Sequence, residues 1–362
     1  MKVCFLCRGF VSNGGIGRVI AVLSDKLVDD MEVFLLSFYD EKAASYYAVN
    51  PNCKQHTIYS EPVSMSKAII LRHAIGKLAD YINKNNIDVI IACGAIFYPM
   101  AILAARKTKI KVVCWEHTNP NNKSDYKFQD IARSYGAKRS DANVVLTKNA
   151  LNVYQTRFPK ATNYQIYNPI DPGLFINKHK YDDESKRIIS VGRLRPQKNI
   201  SRLLDIAAAA LKDYPDWHWD IYGEGPLRGE LEAKRDALGL ENQVHFCGQV
   251  SDLYDRYHNY SFMVMTSDYE GFPMTLLEGA ANSLPLLAFD VPTGPSEIIE
   301  NGKNGFLCKK DNEAEMKGNI ELLISDKYLR NNLSLGSKSS IATFSVSLIE
   351  KQWVELLEGL RK

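Results

Sequence analysis

The sequence lacks the patterns that would place it among repeat, fibrous or nucleic-acid-binding proteins. No segment recurs at a fixed period, and no low-complexity tract interrupts the 362 residues. Neither a zinc-finger spacing nor a groove-reading motif accompanies the basic residues. We therefore expect no nucleic-acid partner, and a globular chain long enough for two domains that each bury a core.

Cysteines are few, and their spacing indicates no disulfide framework. The chain has seven, an odd number, which is typical of proteins in a reducing compartment. Cys4 and Cys7 lie in the first predicted strand, where an odd offset sends their side chains to opposite faces. We interpret them as buried thiols rather than a redox pair. No secretory leader precedes Met1, so the predicted location is the cytoplasm.

The chain also lacks an unbroken apolar run of clear membrane-spanning character. Residues 89–105 carry no charge and reach the lower limit of length for crossing a bilayer. Gly94 and Pro99 interrupt this stretch, however. A buried strand at 89–93, a loop and an apolar helix are therefore predicted instead.

Positive charge is concentrated in the first half. Residues 1–170 contain 22 Lys and Arg against 13 Asp and Glu, whereas the remainder contains 23 against 29. The run 67–78 (KAIILRHAIGKL) combines apolar and cationic positions, as a helix at a membrane interface would. An anionic membrane surface is therefore a candidate partner, since each nearby Lys or Arg contributes about 1 kcal/mol. A solvated helix docked on a sheet explains the same run equally well.

Two glutamates, Glu270 and Glu278, enclose the segment GFPMTLL. Proline suits the first position of a helix, so a helix is predicted to begin near Pro273, with Glu270 in the preceding loop. The first amides of that helix would lack intrahelical partners and form a site for an anion such as phosphate. These amides belong to Met274, Thr275 and Leu276.

Glu278 would lie one turn into the same helix, with its side chain tilted back toward the helix start. One carboxylate can then face each end of a bound phosphodiester, as a nucleotide sugar requires. Taken alone, the two glutamates are equally well explained as surface acidity.

A second motif supplies positive charge. Residues 188–199 (IISVGRLRPQKN) are typical of a buried strand, a glycine turn and a helix that starts at Asn199. A diphosphate leaving group gains negative charge as its bond to the sugar breaks, and preorganised Arg and Lys side chains stabilise that charge. Arg193 and Lys198 are the candidates.

Strands alternate with helical stretches along the whole chain, which predicts two parallel-sheet domains. A proline-rich segment at 168–173 is interpreted as the linker between them. The predicted strands are 3–6, 33–37, 89–93, 112–115, 144–146 and 164–166 before the linker, and 188–191, 219–222, 244–246, 262–266, 285–288 and 305–307 after it.

These motifs, in this order, resemble the retaining glycosyltransferases of family four, among them enzymes of bacterial surface polysaccharide and lipopolysaccharide synthesis. The resemblance rests on GGIGR at 14–18, EH at 116–117, NPI at 168–170, VGR at 191–193, Lys198, YGEGP at 222–226, the two glutamates, GPSEII at 294–299 and NGKNG at 301–305. It implies an α/β protein of the GT-B fold, with two Rossmann-like parallel-sheet domains and an interdomain cleft. The implied acceptor-side domain covers 1–168 with a closing helix in 346–362, and the nucleotide-sugar domain covers 172–345.

The resemblance also implies roles for residues of the second domain. Arg193 and Lys198 would hold the diphosphate, Glu270 the sugar hydroxyls and Glu278 the ribose. Val250, in the loop after the third strand of that domain, would contact the base. The remaining implied donor contacts are Phe272, Pro273, Met274, Thr275 and Leu276. We interpret the YGEGP segment as a turn near the nucleotide rather than a direct contact.

In the first domain, Gly14, Gly15 and Gly17 follow a strand and open a helix, so their backbone can approach a phosphate closely. Gly15 best matches the family's phosphate contact. The same loop resembles a dinucleotide fingerprint, but Ile20 replaces its third glycine, which weakens an NAD-binding interpretation. His117, at the end of a strand, is implied to lie at the sugar, although a lone histidine there is often structural.

The implied reaction is transfer of a sugar from a nucleotide sugar with retention at the anomeric carbon. The chain contains no Asp-x-Asp, and Arg193 with Lys198 can replace a metal at the diphosphate, so neither a metal nor a cofactor is expected. The preferred donor is a UDP-hexose or UDP-N-acetylhexosamine, and the preferred acceptor a lipid-linked saccharide at the inner face of the plasma membrane. A sugar-nucleotide epimerase of the same fold is the alternative, and a nucleotide-sugar-binding protein without activity is a weaker one.

Overall fold

Two units, each built on one parallel sheet, make up the computed structural model. The structure describes residues 1–10, 15–40, 48–61, 67–121, 127–175 and 180–361. The first unit comprises Met1–Asp171 and Phe344–Lys362, and the second comprises Pro172–Thr343.

The first unit has a seven-stranded sheet. Its strands are β1 (Lys2–Cys7), β2 (Glu32–Tyr39), β3 (Lys54–Tyr59), β4 (Val89–Cys93), β5 (Lys111–Glu116), β6 (Ala142–Val145) and β7 (Asn163–Gln165). They are parallel and lie in the order β3-β2-β1-β4-β5-β6-β7, so strand order reverses between β1 and β4. The central strands are continuous apolar runs, because helices cover both faces of such a sheet and bury the side chains on each face.

Helices follow the strands of this unit. They are α1 (Gly15–Leu27), α2 (Lys67–Asn85), α3 (Tyr98–Thr108), α4 (Lys127–Ala137) and α5 (Lys148–Arg157), with a 3₁₀ turn at Ala95–Phe97. The helix α2 docks on the sheet through a buried apolar stripe that includes Ala74, Leu78 and Ile82. Residues 67–78 therefore belong to a helix docked on the sheet, and contact of its exposed side with a membrane stays a prediction.

The second unit has a six-stranded parallel sheet. Its strands are β8 (Arg187–Val191), β9 (His218–Tyr222), β10 (Val244–Gly248), β11 (Phe262–Met265), β12 (Leu286–Asp290) and β13 (Gly305–Lys309). Their order is β10-β9-β8-β11-β12-β13, with the reversal between β8 and β11. Register pairs Ile189 with Asp220 and Val191 with Tyr222.

The helices of the second unit are α6 (Ile200–Ala210), α7 (Arg228–Ala237), α8 (Leu253–Arg256), α9 (Met274–Ala281), α10 (Pro295–Ile298), α11 (Glu313–Ser325) and α12 (Lys327–Ser340). Shorter 3₁₀ turns occur at Pro172–Phe175, Pro196–Lys198, Tyr257–Asn259 and Ile341–Phe344. The apolar core on one face of the sheet joins Trp219 and Ile221 of β9 to Leu203 of α6 and Met316 of α11.

The last helix, α13 (Val346–Gly359), belongs to the first unit. Its Trp353 is fully buried and meets Trp115 of β5 edge to face, with ring centroids 4.8 Å apart. Leu356 and Leu357 are buried on the same helix, as their helical spacing with Trp353 predicts.

Most sequence-predicted elements are confirmed, including all twelve strands to within about two residues at each end. The strand β3 was missed because its first residues, Lys54 to Thr57, are polar. Residues 89–105 form β4, the 3₁₀ turn and the start of α3, as predicted. Within the described ranges, no helix combines the length and apolarity needed to span a bilayer. Cys4 and Cys7 are buried free thiols, as interpreted.

Candidate active site

The loops that carry Lys198 and Glu270 follow neighbouring strands at the reversal of strand order in the second unit. The strand β8 lies between β9 and β11, so the chain leaves β8 toward one edge and returns on its other side. In open α/β sheets, ligands bind at such a switch point, beyond the carboxyl ends of the strands. The residues of this unit that are predicted to hold the phosphate and the sugar therefore lie where the topology favours a ligand.

Hydrogen bonds fix these two loops to each other. The Thr266 hydroxyl donates to the carbonyls of Lys198 and Asn199, each at 3.2 Å. The side-chain amide of Asn199 donates to Asp268 Oδ1 at 2.9 Å, and Asn199 also caps α6. The protein itself thus fixes the geometry of these two loops before a ligand binds. This is the condition for preorganised electrostatic stabilisation.

Lys198 and Glu270 form an ion pair at this switch point. The Lys198 Nζ donates to Glu270 Oε1 at 2.6 Å, and the two side chains are only 15% and 7% exposed. A Cβ on Gly192 would lie 3.1 Å from Lys198 Cδ, so the glycine of the VGR motif lets the lysine pass closely over the turn. A phosphate bound by this ammonium would lie next to the carboxylate predicted to hold the sugar.

The segment after β12 contacts the loop from Glu270 to Pro273 and holds it by hydrogen bonds. The Thr293 hydroxyl donates to the carbonyls of Glu270 and Gly271, each at 2.9 Å. Gly294 has a φ of +103°, and a Cβ there would lie 2.5 Å from Pro273 Cδ. Sequence reasoning assigned these residues no role, although the GPSEII motif marked the position.

The helix α9 begins one residue later than Pro273, which is its N-cap. The expectation that the Leu276 amide lacks a partner is wrong. This amide donates to the Pro273 carbonyl at 3.0 Å, because an i to i+3 bond tightens the first turn. The amides of Met274 and Thr275 donate to no other residue that the structure describes. The candidate phosphate cradle therefore has two free amides instead of three.

Glu278 lies one turn into α9 and is only 4% exposed. Its Oε2 accepts a hydrogen bond of 2.7 Å from the Tyr257 hydroxyl. Tyr257 is in the 3₁₀ turn before β11 and has no motif around it, so the sequence offered no signal for it. The tyrosine orients one carboxylate oxygen.

Arg193 is exposed, in contrast to Lys198. Its guanidinium forms no hydrogen bond or ion pair with the rest of the described chain. The turn beneath it comes from the YGEGP segment: Gly223 has a φ of +132°, and a Cβ there would lie 2.0 Å from the Gly192 carbonyl oxygen. The Leu194 amide donates to the Glu224 carbonyl at 3.0 Å. This backbone packing favours the interpretation of the segment as a turn.

The other two predicted donor residues of this unit also lie beyond carboxyl ends of strands. Val250 is half-buried in the loop after β10, and Phe272 is buried in the loop before α9.

In the first unit, the glycine-rich loop leads from β1 into α1 at the reversal between β1 and β4. Gly15 is the first residue of α1 and is exposed. No heavy atom of the described residues lies within 4 Å of the position that a Cβ on Gly15 would take. Gly17 is buried in the first turn. Gly14 lies outside the described residues. Of the two glycines of this loop that the structure describes, Gly15 is thus the one open to a ligand.

His117 follows β5 and packs against Trp115, with ring centroids 4.3 Å apart. Its Nε2 is buried and has no hydrogen-bond partner among the described residues. Burial lowers the pKa of His117 to about 3, so the ring is neutral at physiological pH. A buried ring nitrogen without a partner is uncommon in a purely structural histidine.

The neighbouring Glu116 has a structural environment. It is buried and accepts hydrogen bonds from Arg133 Nε at 2.8 Å and from the Thr118 hydroxyl at 2.5 Å. Of the Glu-His pair, His117 is the one with a polar atom that has no hydrogen-bond partner among the described residues.

No group of three His, Cys, Asp or Glu side chains is arranged for a metal within the described part of the chain. Metal independence stays a prediction.

Two family models match consecutive parts of the chain. Residues 13–174 match the model described as Glycosyltransferase Family 4, and residues 174–339 match Glycosyl transferases group 1. The chain is 28% identical to the "Amylovoran biosynthesis glycosyltransferase AmsD" of Erwinia amylovora, covering 98% of this chain and 99% of AmsD. It is 25% identical to "GalNAc-alpha-(1->4)-GalNAc-alpha-(1->3)-diNAcBac-PP-undecaprenol alpha-1,4-N-acetyl-D-galactosaminyltransferase" of Campylobacter jejuni, covering 100% and 99%.

Among solved structures, the chain is similar to Anabaena Alr3699/HepE in complex with UDP, with a TM-score of 0.79 at 19% identity and coverage of 99% and 100%. At this identity the likeness concerns the fold, which confirms the two-domain α/β expectation. The epimerase alternative gains no support from these matches. Taken together, the consecutive matches to both family models and the two parallel-sheet units show that this chain belongs to the family-four-like glycosyltransferases of the GT-B fold.

Proposed function

We propose that this glycosyltransferase transfers a hexose or N-acetylhexosamine from a UDP-sugar, with retention, to a lipid-linked saccharide in bacterial surface glycan synthesis. The observation that carries the donor part is the cluster at the β8–β11 switch point of the second unit. There the Lys198–Glu270 pair, the two free amides of α9 and the buried Glu278 lie on adjoining loops and one helix.

Each group matches one part of a nucleotide sugar. Lys198, Arg193 and the amides of Met274 and Thr275 are donors for the diphosphate oxygens, and the dipole of α9 favours the same negative charge. Glu270 accepts hydrogen bonds from sugar hydroxyls, and Glu278 from the ribose. His117 and Gly15 of the first unit keep their predicted roles at the sugar and at a phosphate.

The chemical step breaks the bond between the anomeric carbon and the diphosphate oxygen. The acceptor hydroxyl attacks the same face of the sugar, and its proton passes to the departing phosphate oxygen. The cations stabilise the negative charge that develops on the leaving group.

A donor panel tests this proposal. Purified protein is mixed with UDP-glucose, UDP-galactose, UDP-N-acetylglucosamine, UDP-N-acetylgalactosamine and GDP-mannose, with an undecaprenyl-diphosphate saccharide as acceptor. We expect UDP release with a lengthened acceptor. An altered nucleotide sugar without acceptor consumption would identify an epimerase, and turnover of GDP-mannose alone would contradict the UDP assignment.

The same assay tests metal independence. Because Arg193 and Lys198 supply the positive charge at the diphosphate, EDTA should leave the transfer rate unchanged. Loss of transfer in EDTA, with recovery on addition of magnesium or manganese, would mean that the cations of the protein are insufficient.

For the acceptor, two relatives motivate the proposal. The Campylobacter relative acts, by its name, on an undecaprenol-linked saccharide, and the Erwinia relative on amylovoran biosynthesis. We place the enzyme on the cytoplasmic side of the plasma membrane, where such a substrate is accessible.

The surface of the first unit supports contact with a membrane. Four large apolar side chains are 45–66% exposed: Ile69, Ile96, Phe128 and Ile131. They occupy the starts of α2 and α4 and the 3₁₀ turn before α3, and α3 packs between α2 and α4. Exposed Arg72 lies on α2 near Ile69. Apolar side chains beside cations suit the interface of an anionic bilayer.

We therefore expect the double variant Lys67→Gln/Arg72→Gln to bind acidic vesicles about 30-fold more weakly, from about 1 kcal/mol per charge. Lys77 is left intact because its Nζ donates to the Ile58 carbonyl at 3.2 Å and lies over the Tyr59 ring. Sedimentation with phosphatidylglycerol vesicles measures the effect.

Lys84→Gln is the matched control, since it removes one charge at the other end of α2. Equal binding of the double variant and this control would show that the start of α2 does not contact the membrane.

A further inference from the structure

A polar cavity of about 530 Å³ lies in the second unit, beside β8, β9 and β10. Its lining includes residues that precede β8 or begin it and residues that precede β11, together with Tyr222 and Cys247 near the carboxyl ends of β9 and β10. The side chains that matter here are Arg187, Asp220, Tyr222, Cys247, Arg256 and Tyr260.

The topology explains why this cavity exists. The strands β10 and β11 are separated in the sheet by β9 and β8, so the connection between them must cross both. A full helix usually covers a parallel sheet at such a crossover. Here the connection contains only the four-residue α8 and a 3₁₀ turn. Part of the sheet face therefore stays uncovered and carries polar residues.

Strand alternation places Asp220 and Tyr222 on that face, because Trp219 and Ile221 point into the apolar core on the other side. Asp220 is 1% exposed. Its Oδ2 accepts from Arg187 Nε at 3.1 Å and from the Tyr260 hydroxyl at 2.7 Å. The Tyr260 and Tyr222 hydroxyl oxygens are 2.8 Å apart. The floor of the cavity is thus a connected polar network.

One atom of this network is unsatisfied. Asp220 Oδ1 is buried and accepts no hydrogen bond from the described residues. A buried carboxylate oxygen without a donor is costly, and such atoms in native proteins call for a partner. A ligand that reaches this oxygen therefore has to offer it a hydrogen-bond donor.

The surrounding charges limit the class of ligand. Lys186 and Arg256 are neutralised by ion pairs with Asp216 and Asp252, at 3.1 and 2.8 Å. Arg187 is paired with Asp220 but is 43% exposed, so it retains donors for an acceptor on the ligand. This balance disfavours a phosphate, which needs unpaired cations, and favours a neutral molecule that both donates and accepts.

We propose that this cavity is a second saccharide-binding site, which holds a neutral mono- or disaccharide unit and shares none of its lining residues with the donor groups. Ligand hydroxyl groups donate to Asp220 Oδ1 and to the Tyr222 oxygen and accept from Arg187, and each hydroxyl has both capacities. The volume lies within the range of small-ligand pockets. The site does not depend on which nucleotide sugar is the donor.

Cys247 provides a direct readout of occupancy. It lines the cavity and is partly exposed, whereas the other six cysteines are buried. Alkylation of Cys247 by iodoacetamide is followed by peptide mass spectrometry, with maltose, lactose, di-N-acetylchitobiose and sucrose as probes. At ten times its Kd, a probe that binds should slow alkylation about tenfold. If none of the four probes protects Cys247, the proposal fails.

Two variants locate the effect. Asp220→Asn removes the charge but keeps the shape, and should abolish protection. Because Asp220 also holds Arg187, this variant can unfold, so Tyr222→Phe, which removes one hydroxyl at the cavity, is the second test and should weaken the Kd. Its control is Tyr328→Phe, which removes an exposed hydroxyl on α12. Equal affinity of Tyr222→Phe and Tyr328→Phe, or protection by inorganic phosphate in place of saccharides, would overturn the assignment.

Discussion

Arg193→Ala should lower kcat about 10²–10³-fold while leaving the melting temperature unchanged, since a lost contact to a developing oxyanion typically costs this much. Arg193 is exposed and has no ion pair in the described chain, so its removal leaves no buried charge behind. Loss of activity can then be attributed to the leaving group rather than to folding. Steady-state kinetics and thermal unfolding of the same preparation separate the two effects.

Arg195→Ala is the matched control. Arg195 lies two residues further along the same loop, is exposed, and carries the same charge. It should keep near wild-type kcat. Equal losses from both variants would indicate a general electrostatic effect of the loop, and wild-type turnover of Arg193→Ala would rule out its assignment to the diphosphate.

Lys198→Ala should lower kcat by a similar factor, but it is a less direct test. Glu270 would be left buried without its cation, and an unsatisfied buried charge costs about 1–3 kcal/mol or more of stability. The ion pair thus couples catalysis to folding at this position. The double variant Lys198→Met/Glu270→Gln, which removes both charges, should recover part of the stability and none of the activity.

The candidate site was predictable from sequence where local chemistry determines structure. Glycine and proline fixed the turns before Arg193 and α9, and apolar runs marked the strands that these loops follow. The order of the strands was not readable in the same way, because it depends on contacts distant in the chain. It is this order that brings the loop of Lys198 beside the loop of Glu270.

The failures have two origins, local backbone geometry and contacts between distant segments. A tighter first turn, set by local backbone geometry, satisfies the Leu276 amide, and nothing in the residue types around it indicates this. Tyr257 and Thr293 act on Glu278 and on the loop of Glu270 from segments that are distant in sequence. The polar cavity at Asp220 arises because one crossover is short, which is a property of the assembled sheet.

Glu278→Gln should raise the KM for the nucleotide sugar about 10–100-fold with a smaller change in kcat, as expected when a hydrogen bond to a charged group worth about 1.5–3 kcal/mol is lost. The ribose is bound equally in the ground state and the transition state, so its contacts lower KM rather than raise kcat. Tyr257→Phe removes only the hydroxyl that donates to Glu278 at 2.7 Å, and should shift KM in the same direction by less.

The assignment to the ribose is tested most sharply with the ligand itself. Wild-type protein should bind UDP more tightly than 2′,3′-dideoxy-UDP, measured by calorimetry, because only UDP offers hydroxyls to the carboxylate. In Glu278→Gln this preference should largely disappear, since the amide is a weaker acceptor than the charged carboxylate. A preference that survives the substitution would place the ribose elsewhere and leave Glu278 with a structural role at the start of α9.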